Sequence, residues 1–336
     1  MTQEVAINVV TEFIKGLVQT YPGLQYLDGF PEVKVVLRAN LSGAIYDKVA
    51  IISGGGSGHE PAHAGFVGEG MLTAAICGDV FVSPPVDSIL AGIRAVTGPP
   101  GCLLIVKNYP QDRLNFMRAA ELATDEGYKV EVVIVGDDCA QQPPRGISGR
   151  RGSAGTILVH KIAGAAAASG LYLEEVVAEA KRASDMVWTM GVAFSLCTVP
   201  GQLNPDYILP SKFELGIGIH GEPGLIRPLS SRLGSKLVSD ILKEILSTEN
   251  VTITSDSKVV LVINGHAVRE LRLKYGHAVE RVYTGSFLTS LDMEGFSITV
   301  MSADQAILKW LDAPTRAPNW PVAVYGNPPL ELRELV

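Results

Sequence analysis

Short apolar runs recur along the first part of the chain, and each is followed by glycine or by polar residues. Four of these runs are too short for a helix and are typical of strands buried in a sheet: Lys48–Ser53, Leu72–Cys77, Cys102–Val106 and Lys129–Val135. Helical stretches lie between them, at Val86–Val96 and at Asp112–Glu126. Because strands and helices alternate in this way, we expect a mainly parallel sheet that is covered by helices.

A second set of alternating segments follows a long helical region, Gly155–Met190, in which Leu173–Trp188 carries apolar residues at helical spacing. The pattern then predicts strands at Phe213–Ile219, Val259–Ile263 and Phe296–Met301, and helices at Ser231–Leu246 and Ala303–Leu311. We therefore expect two α/β domains, residues 1–190 and 191–336, each with a mainly parallel or mixed sheet flanked by helices. The proline-rich tail, Asp312–Val336, is expected to be an ordered extension or an interdomain linker.

The composition narrows the class of protein. The 336 residues are 47% hydrophobic and 19% charged, which provides a large core and excludes a disordered chain. A net charge of −7 argues against nucleic acid and against anionic membrane surfaces as partners. No apolar run reaches the roughly 18 residues of a membrane span, and Met1–Gly16 lacks the basic start of a signal peptide. We therefore expect a cytoplasmic protein.

Neither the cysteines nor the histidines have the spacing of a metal site. The 4 cysteines are far apart and include no C-x-x-C pair, which indicates free thiols in a reducing compartment. No H-E-x-x-H or H-x-x-E-H spacing occurs, so we expect no metal bound by this chain. The histidines without glycine-rich surroundings are interpreted as structural or surface residues: His63, His160, His266 and His277.

The first candidate site follows the first predicted strand. Gly54–Pro61 reads GGGSGHEP, and residues without a Cβ allow a backbone to come close to a ligand. The spacing of its glycines matches neither a P-loop nor a dinucleotide-binding loop. A tight strand-to-helix turn and a polar small-molecule site that includes Ser57 and His59 are about equally supported.

Two more candidates lie at the ends of predicted strands. Lys107 and Asp112 follow Cys102–Val106, at the end of the strand where open α/β sheets hold ligands. Asp112 either accepts a proton from a substrate hydroxyl or caps the next helix, and its spacing alone favours the cap. His220 lies among glycines in Ile217–Pro223, which could leave its ring open to a ligand, and a neutral imidazole is a competent nucleophile.

Four long motifs together resemble the substrate-binding domain (K domain or K subunit) of the dihydroxyacetone kinase family: GGGSGHEP at Gly54–Pro61, KNYPQDRLNF at Lys107–Phe116, GRRGSAGT at Gly149–Thr156 and GIHGEPG at Gly218–Gly224. They occur in the order found in the family, and the resemblance runs through nearly the whole chain. It implies a glycerone kinase, a phosphotransferase for small ketoses, in which a histidine binds dihydroxyacetone covalently.

The resemblance also implies roles for individual residues. His220 would form a hemiaminal with the carbonyl carbon of dihydroxyacetone. The other substrate contacts that the resemblance implies are Gly56, Ser57, Gly58, His59, Lys107 and Asp112. In this scheme Asp112 takes the proton of the substrate hydroxyl, and His59 hydrogen-bonds the substrate and assists proton movement.

In this family the nucleotide, ATP or ADP, and magnesium are held by a separate helical domain or subunit. Some bacteria recharge it with a phosphohistidine carrier. Nothing in this chain is similar to such a domain, so we expect the isolated chain to bind a ketose without phosphorylating it. The resemblance also implies a homodimer. The preferred substrate stays open between dihydroxyacetone, a four-carbon ketose and glyceraldehyde. An alternative is a non-catalytic paralogue that senses dihydroxyacetone, and an unrelated small-molecule ligand is the least supported interpretation.

Two positions depart from the family pattern. Pro110 and Gln111 replace a Thr-Gly pair, which is expected to change the loop that carries Asp112. After Gly265 the chain is shorter by several helical turns than is usual in the family, which is expected to expose apolar surface. The altered Asp112 loop leaves room for the sensor alternative, and the short segment after Gly265 leaves room for a truncated or atypical family member.

Overall fold

The apolar runs of the first half form one sheet, as their length predicts. The computed structural model describes residues 3–41, 46–140, 149–200, 208, 212–228, 233–248, 251, 253, 257–265 and 278–321. The strands of the first sheet are β1 (Leu24–Tyr26), β2 (Val35–Arg38), β3 (Ala50–Ser57), β4 (Ala74–Val80), β5 (Cys102–Lys107) and β6 (Val130–Val135). Their order is β1-β2-β4-β3-β5-β6. The last four of these run parallel, and β1 and β2 add an antiparallel edge.

The second sheet is mixed and mostly antiparallel. Its strands are β7 (Val187–Ala193), β8 (Lys212–Leu215), β9 (Leu225–Pro228), β10 (Lys258–Asn264), β11 (Ala278–Gly285) and β12 (Gly295–Ser302). Their order within the described part of the chain is β11-β10-β12-β7-β8-β9, and only β10 and β11 are parallel. Of the two expected kinds of sheet, mainly parallel or mixed, this half therefore has the mixed one. One physical reason is that the loop 216–224 joins β8 directly to β9, and a loop this short cannot make the crossover of parallel neighbours.

The helices cover both faces of both sheets. They are α1 (Gln3–Thr20), α2 (Val86–Val96), α3 (Pro110–Asp125), α4 (Thr156–Ala168), α5 (Leu173–Asp185), α6 (Leu233–Ser247) and α7 (Gln305–Asp312). Alternate residues of one strand enter different cores: Leu103 and Ile105 of β5 pack with α1, α4, α5 and α7, whereas Leu104 packs with α2 and α3. The prediction of two mixed sheets flanked by helices is confirmed.

The central core includes residues from both sheets. Alternate residues of β10 also point into different cores. Val260 lies in the central core, together with Ile105 and Leu158, and Leu261 lies in the core beneath α6. The division into domains 1–190 and 191–336 stays a prediction, because the helices between the sheets share one core with both.

Several expected boundaries are corrected. The helix expected over Leu173–Trp188 ends at Asp185, and Trp188 lies in β7. A short apolar stretch that is buried on both sides fits helical and strand periods equally well. The strand expected over Phe213–Ile219 ends at Leu215, and the chain then turns at Gly216, whose φ is +76°.

The Pro110–Gln111 departure does not disturb the start of α3. Pro110 takes the first position of the helix, where its missing N–H has no partner to lose, and its ring restricts φ to a helical value. Gln111 is an ordinary helical residue. The segment after Gly265, which is expected to be short, and residues 322–336 of the tail lie outside the described residues. The described part of the tail packs on the first half, where the Asn319 N–H donates to the Gly65 carbonyl at 3.0 Å.

Candidate active site

The candidate residues meet where the carboxyl ends of β3, β4 and β5 face two loops of the second sheet. These loops are 216–224, between β8 and β9, and 286–294, between β11 and β12. The backbone N–H of Leu291 donates to the Gly58 carbonyl at 2.7 Å, and the Ser290 hydroxyl donates to the Ile219 carbonyl at 2.6 Å. The loop 286–294 therefore ties β3 to the loop that carries His220.

The glycine run belongs to the strand rather than to a loop that follows it. Gly54 and Gly56 lie in β3, and a Cβ on Gly54 would be 2.2 Å from the Ile76 carbonyl oxygen. These glycines therefore permit close approach of neighbouring backbone. The Ser57 hydroxyl donates to the Gly78 carbonyl at 2.7 Å, and the Gly58 N–H donates to the Glu60 carboxylate at 3.0 Å. Direct substrate contacts by these residues stay a prediction.

Gly55 lies where three polar side chains converge. Its φ is +154°, and a Cβ at this position would lie 2.5 Å from Lys107 Nζ, 3.4 Å from Asp112 Oδ2 and 3.7 Å from His63 Nε2. A methyl group here would fill the space that these three groups face. The absence of a side chain at Gly55 therefore keeps this part of the site open.

His220 lies in the loop 216–224 and is surrounded by rings. Its ring centroid is 4.6 Å from that of Tyr109, 4.8 Å from that of His59 and 5.2 Å from that of Phe81, and all three meet it edge to face. Packing of this kind fixes the ring plane. The side chain nevertheless keeps 21% of its surface exposed, so one edge of the imidazole is accessible.

Glu222 decides which ring nitrogen of His220 is available. Its carboxylate lies 3.1 Å from His220 Nδ1 and accepts the backbone N–H of His220 at 3.0 Å. Burial acts to raise the pKa of Glu222, but the hydrogen bonds and the electrostatic interaction with His220 outweigh it and lower the pKa. An ionised carboxylate can only accept, so Nδ1 carries the proton and Nε2 presents its lone pair. Nε2 has no hydrogen-bond partner among the described residues.

His59 is buried and neutral. Its ring stacks on Phe81 at 4.9 Å, and Nδ1 lies 2.8 Å from the Thr289 carbonyl, so Nδ1 donates the hydrogen bond. Burial holds the pKa of His59 well below its usual value, and the electrostatic interactions with His220 and Lys107 lower it further, against the effect of the Thr289 hydrogen bond. Nε2 is buried without a partner among the described residues, which makes it an acceptor for a ligand hydroxyl.

Lys107 and Asp112 form a loose, buried ion pair. Nζ is 3.9 Å from Asp112 Oδ2, and the two side chains are 1% and 7% exposed. Asp112 lies in the first turn of α3, after the Tyr109 N-cap, so it does not cap the helix itself. The N-terminal end of a helix favours a negative charge. Burial lowers the pKa of Lys107, and Asp112 and Asp137 partly oppose that shift. A ligand oxygen can bridge the two groups, because 3.9 Å exceeds a hydrogen bond.

Sequence reasoning missed several residues that line or support the site. His63 and His160, which the sequence predicts to be structural or surface residues, are both buried, and His63 also contacts Lys107 directly. Phe81, Tyr109 and Glu222 also contact predicted residues. Glu222 follows His220 by two residues within the same motif, so its sequence position was a usable signal. The contacts of Phe81 and His160 depend on the fold and had no comparable signal.

Residues of the GRRGSAGT motif hold the segments that carry the site in place. Asp137 accepts the N–H groups of Ser153 and Gly155 at 2.6 and 2.7 Å, near the start of α4. Arg151 pairs with Asp138 at 2.7 Å and donates to the Gly216 carbonyl at 3.0 Å, which anchors the loop that carries His220. Burial raises the pKa of Asp138 to about 6, against the lowering effect of Arg151.

The donor set at the site does not fit a magnesium ion. Mg²⁺ is bound through several carboxylate and water oxygens, whereas Asp112 shares its surroundings with the Lys107 ammonium. Over the part of the chain that the structure describes, no three His, Cys, Asp or Glu side chains are grouped as metal ligands. The described helices also include none that is both long and apolar enough to cross a membrane.

A family model described as the Dak1 domain matches residues 15–319, which is most of the chain. The chain belongs to the Dak1 domain family. It is 43% identical over 323 residues to the Listeria innocua "PTS-dependent dihydroxyacetone kinase 1, dihydroxyacetone-binding subunit DhaK", with 91% of this chain and 94% of that subunit covered. The resemblance to dihydroxyacetone kinases is therefore confirmed, and the relatives of this Dak1 domain are phosphotransferases.

Other relatives of this Dak1 domain are longer. A Solanum lycopersicum protein named "Putative 3,4-dihydroxy-2-butanone kinase" is 70% identical over 342 residues, which covers 96% of this chain and 57% of that protein. The crystal structure of the C. freundii dihydroxyacetone kinase in its native form matches with a TM-score of 0.86 and 40% identity, over 98% of this chain and 61% of that one. The chain thus spans little more than half the length of these two relatives.

Proposed function

We propose that this chain is the ketose-binding component of a dihydroxyacetone kinase. It binds dihydroxyacetone, or a closely related small ketose, as a covalent adduct of His220 and presents a substrate hydroxyl for phosphorylation. The observation that carries this proposal is the geometry of His220, whose Nδ1 faces the Glu222 carboxylate at 3.1 Å while Nε2 has no hydrogen-bond partner among the described residues. The similarity to a dihydroxyacetone-binding subunit supports the choice of substrate.

The covalent step follows from the tautomer of His220. The Nε2 lone pair forms a bond to the carbonyl carbon, and the electron pair of the C=O π bond moves onto oxygen, which takes up a proton from solvent water as Glu222 returns to solvent the proton that it receives from Nδ1. The Nδ1 proton is released towards the Glu222 carboxylate, so the imidazole is neutral in the hemiaminal. Glu222 therefore acts twice, because it first selects the nucleophilic nitrogen and then accepts the proton that the addition releases.

The adduct supplies specificity that a small substrate otherwise lacks. A three-carbon ketose offers few contacts, so its non-covalent affinity is modest. Glycerol has the same carbon chain and the same terminal hydroxyls but carries a hydroxyl at C2 instead of a carbonyl, so it cannot form the bond to His220. Discrimination between dihydroxyacetone and glycerol then depends on the covalent bond to His220 more than on the shape of the cavity.

Lys107, Asp112 and His59 act on the hydroxyls of the bound ketose. Lys107 and Asp112 hold one hydroxyl oxygen between them, and Asp112 takes its proton as the phosphoryl group arrives. The unpartnered Nε2 of buried His59 accepts a hydrogen bond from the substrate and assists proton movement. The protein thus contributes position and charge, which are the main requirements of phosphoryl transfer.

The phosphoryl group comes from a nucleotide-binding domain. In this proposal, ATP or ADP with magnesium is held by that domain, either elsewhere in the same polypeptide or on another subunit. The domain must reach the substrate hydroxyl at the mouth of the site. The part of the chain described here binds and orients the ketose and does not transfer phosphate by itself.

Carbon-13 NMR with dihydroxyacetone labelled at C2 tests the covalent step. On binding, we expect the ketone carbon signal to be replaced by that of a tetrahedral carbon. Intact mass spectrometry should show addition of one whole ketose, with no loss of water. His220→Gln should abolish both signals while its far-ultraviolet circular dichroism stays unchanged, and glycerol should produce neither. A ketone signal that persists in the bound state would refute the proposal.

A second variant separates the kinase from the sensor. Asp112→Asn keeps the shape of the side chain but removes the base, so it should still form the adduct and should lose turnover with ATP and an added nucleotide-binding subunit. If the unmodified chain forms the adduct but supports no turnover with any such subunit, the sensor alternative is favoured.

A further inference from the structure

A network of buried polar side chains runs from Lys107 through His63 and Ser53 to His160. Lys107 Nζ lies 2.8 Å from His63 Nε2, and His63 Nδ1 lies 3.4 Å from the Ser53 hydroxyl oxygen. The same oxygen lies 3.0 Å from His160 Nε2 and 2.7 Å from the Ile105 carbonyl. The four side chains of this network are almost fully buried. Their exposures are 1% for Lys107, 4% for His63 and 0% for Ser53 and His160.

The Ile105 carbonyl determines which ring nitrogens of His63 and His160 carry protons in this network. A carbonyl can only accept, so the single hydroxyl proton of Ser53 is donated to it. The Ser53 oxygen must then accept from both histidines, which places a proton on Nδ1 of His63 and on Nε2 of His160. Burial and the charge of Lys107 hold the pKa of His63 well below its usual value, so the ring carries only that one proton. Its Nε2 therefore presents a lone pair to Lys107.

We propose that His63 is a positioning residue for Lys107, and that Ser53 and His160 hold His63 in the tautomer that accepts the Lys107 ammonium. The proposal rests on the ketose-binding function argued above and adds residues that act through Lys107. His160 is the last member of the network. Its Nδ1 is an unprotonated, buried nitrogen without a partner among the described residues.

This arrangement directs the remaining Lys107 hydrogens towards the substrate. One of the three hydrogens of the ammonium is donated to His63 at 2.8 Å. The other contacts of Nζ are longer, at 3.5 Å to the Gly54 carbonyl and 3.9 Å to Asp112 Oδ2. A ketose oxygen placed beside Gly55 can therefore shorten the interactions on that side without breaking the one to His63. With His63 in the opposite tautomer, an N–H would face the ammonium and push it out of this position.

The first test needs no ligand and no variant. Nitrogen-15 NMR of the histidine rings in the unliganded protein should show His63 protonated at Nδ1 and unprotonated at Nε2. The Lys107 ammonium should give a slowly exchanging signal, because its hydrogens are buried and one of them is bonded. An Nε2-protonated His63 in the folded protein would overturn the proposal, whatever the substrate turns out to be.

The second test compares two replacements of similar size. His63→Gln keeps an acceptor near the position of Nε2, whereas His63→Met removes it. We expect His63→Met to weaken dihydroxyacetone binding about tenfold, which is the typical effect of leaving one buried donor unpaired. We also expect it to abolish the slow exchange of the Lys107 signal, and His63→Gln to restore most of the affinity and of the protection.

The outcomes separate this inference from the proposed function. If the unmodified protein forms no adduct with dihydroxyacetone, the proposed function fails, and the ring tautomer still decides the role of His63 towards Lys107. If the unmodified protein forms the adduct and a folded His63→Met variant binds equally well, the positioning role is refuted. If His63→Met does not fold, the tautomer measurement and the His63→Gln variant remain decisive.

Discussion

Acid should destabilise this protein through its buried histidines, and His160 allows the effect to be measured one proton at a time. Burial, with a smaller contribution from Lys107, lowers the pKa of His160 in the folded state to about 3. In the unfolded chain a histidine titrates near its ordinary pKa of about 6.5. Between these two values the unfolded state binds a proton that the folded state does not. Stability from this group is therefore complete above about pH 6.5 and is lost as the pH falls towards 3.

The size of the effect follows from the linkage relation. One proton taken up on unfolding changes the free energy of unfolding by about 1.4 kcal/mol per pH unit. The unfolded histidine is only half protonated at pH 6.5, so between pH 6.5 and 4.5 the contribution of His160 is about 2 kcal/mol. The pKa values of His59 and His63 are lowered as well, so they steepen the same loss. Asp138 acts in the opposite direction below its folded pKa of about 6, because there the folded state binds the extra proton.

Comparison with a single variant separates the contribution of His160 from those of the other titrating groups. His160→Gln retains a side-chain N–H for Ser53 but has no titrating group, and the other buried groups are present in both proteins, with only a secondary effect of His160 on the pKa of His63 removed. Urea unfolding at half-unit steps from pH 7.5 to 4.5 gives the free energy of unfolding of each protein. The difference between them should be flat above pH 6.5 and should then change by about 1.4 kcal/mol per pH unit, with the variant losing less stability. Parallel curves below pH 6.5 would refute the assignment of His160 as a buried neutral ring.

Three further substitutions test the site and its support. Gly55→Ala places a Cβ 2.5 Å from Lys107 Nζ at a φ of +154°, so ketose binding in the carbon-13 assay should be lost. Retained binding would show that this space is not used. Glu222→Gln removes the acceptor of the nucleophilic imidazole's proton, and the rate of adduct formation should fall by about 100-fold, within the range of general-base catalysis. An unchanged rate in stopped-flow mixing would exclude that role. Arg151→Met leaves Asp138 buried without its partner, and urea unfolding at pH 7.5 should show a loss of about 3 kcal/mol. A loss below about 1 kcal/mol would mean that the ion pair contributes little.

The local pattern predicted most of the described elements but not the direction of the strands in the second sheet. The α2 helix has the predicted bounds, Val86–Val96, because its apolar stripe and flanking prolines are local features. Strand direction depends on which strands become neighbours. The β12 strand pairs antiparallel with both β10 and β7, and no short window of sequence contains that information. The glycine run was predicted to be a loop because a close approach from Ile76 cannot be recognised along the chain.

The amino-acid sequence alone determined the α/β class, most of the strands and helices, and four motifs whose residues lie at or behind the candidate site. Those features are local, since they depend on apolar spacing, on helix starts and on the residue types within one loop. The tertiary structure decided which groups meet and which of them carry protons. His63 reaches Lys107 across 44 residues, and His160 reaches Ser53 across 107 residues. Burial and hydrogen-bond partners set protonation, and both exist only once the two sheets have packed around a shared core.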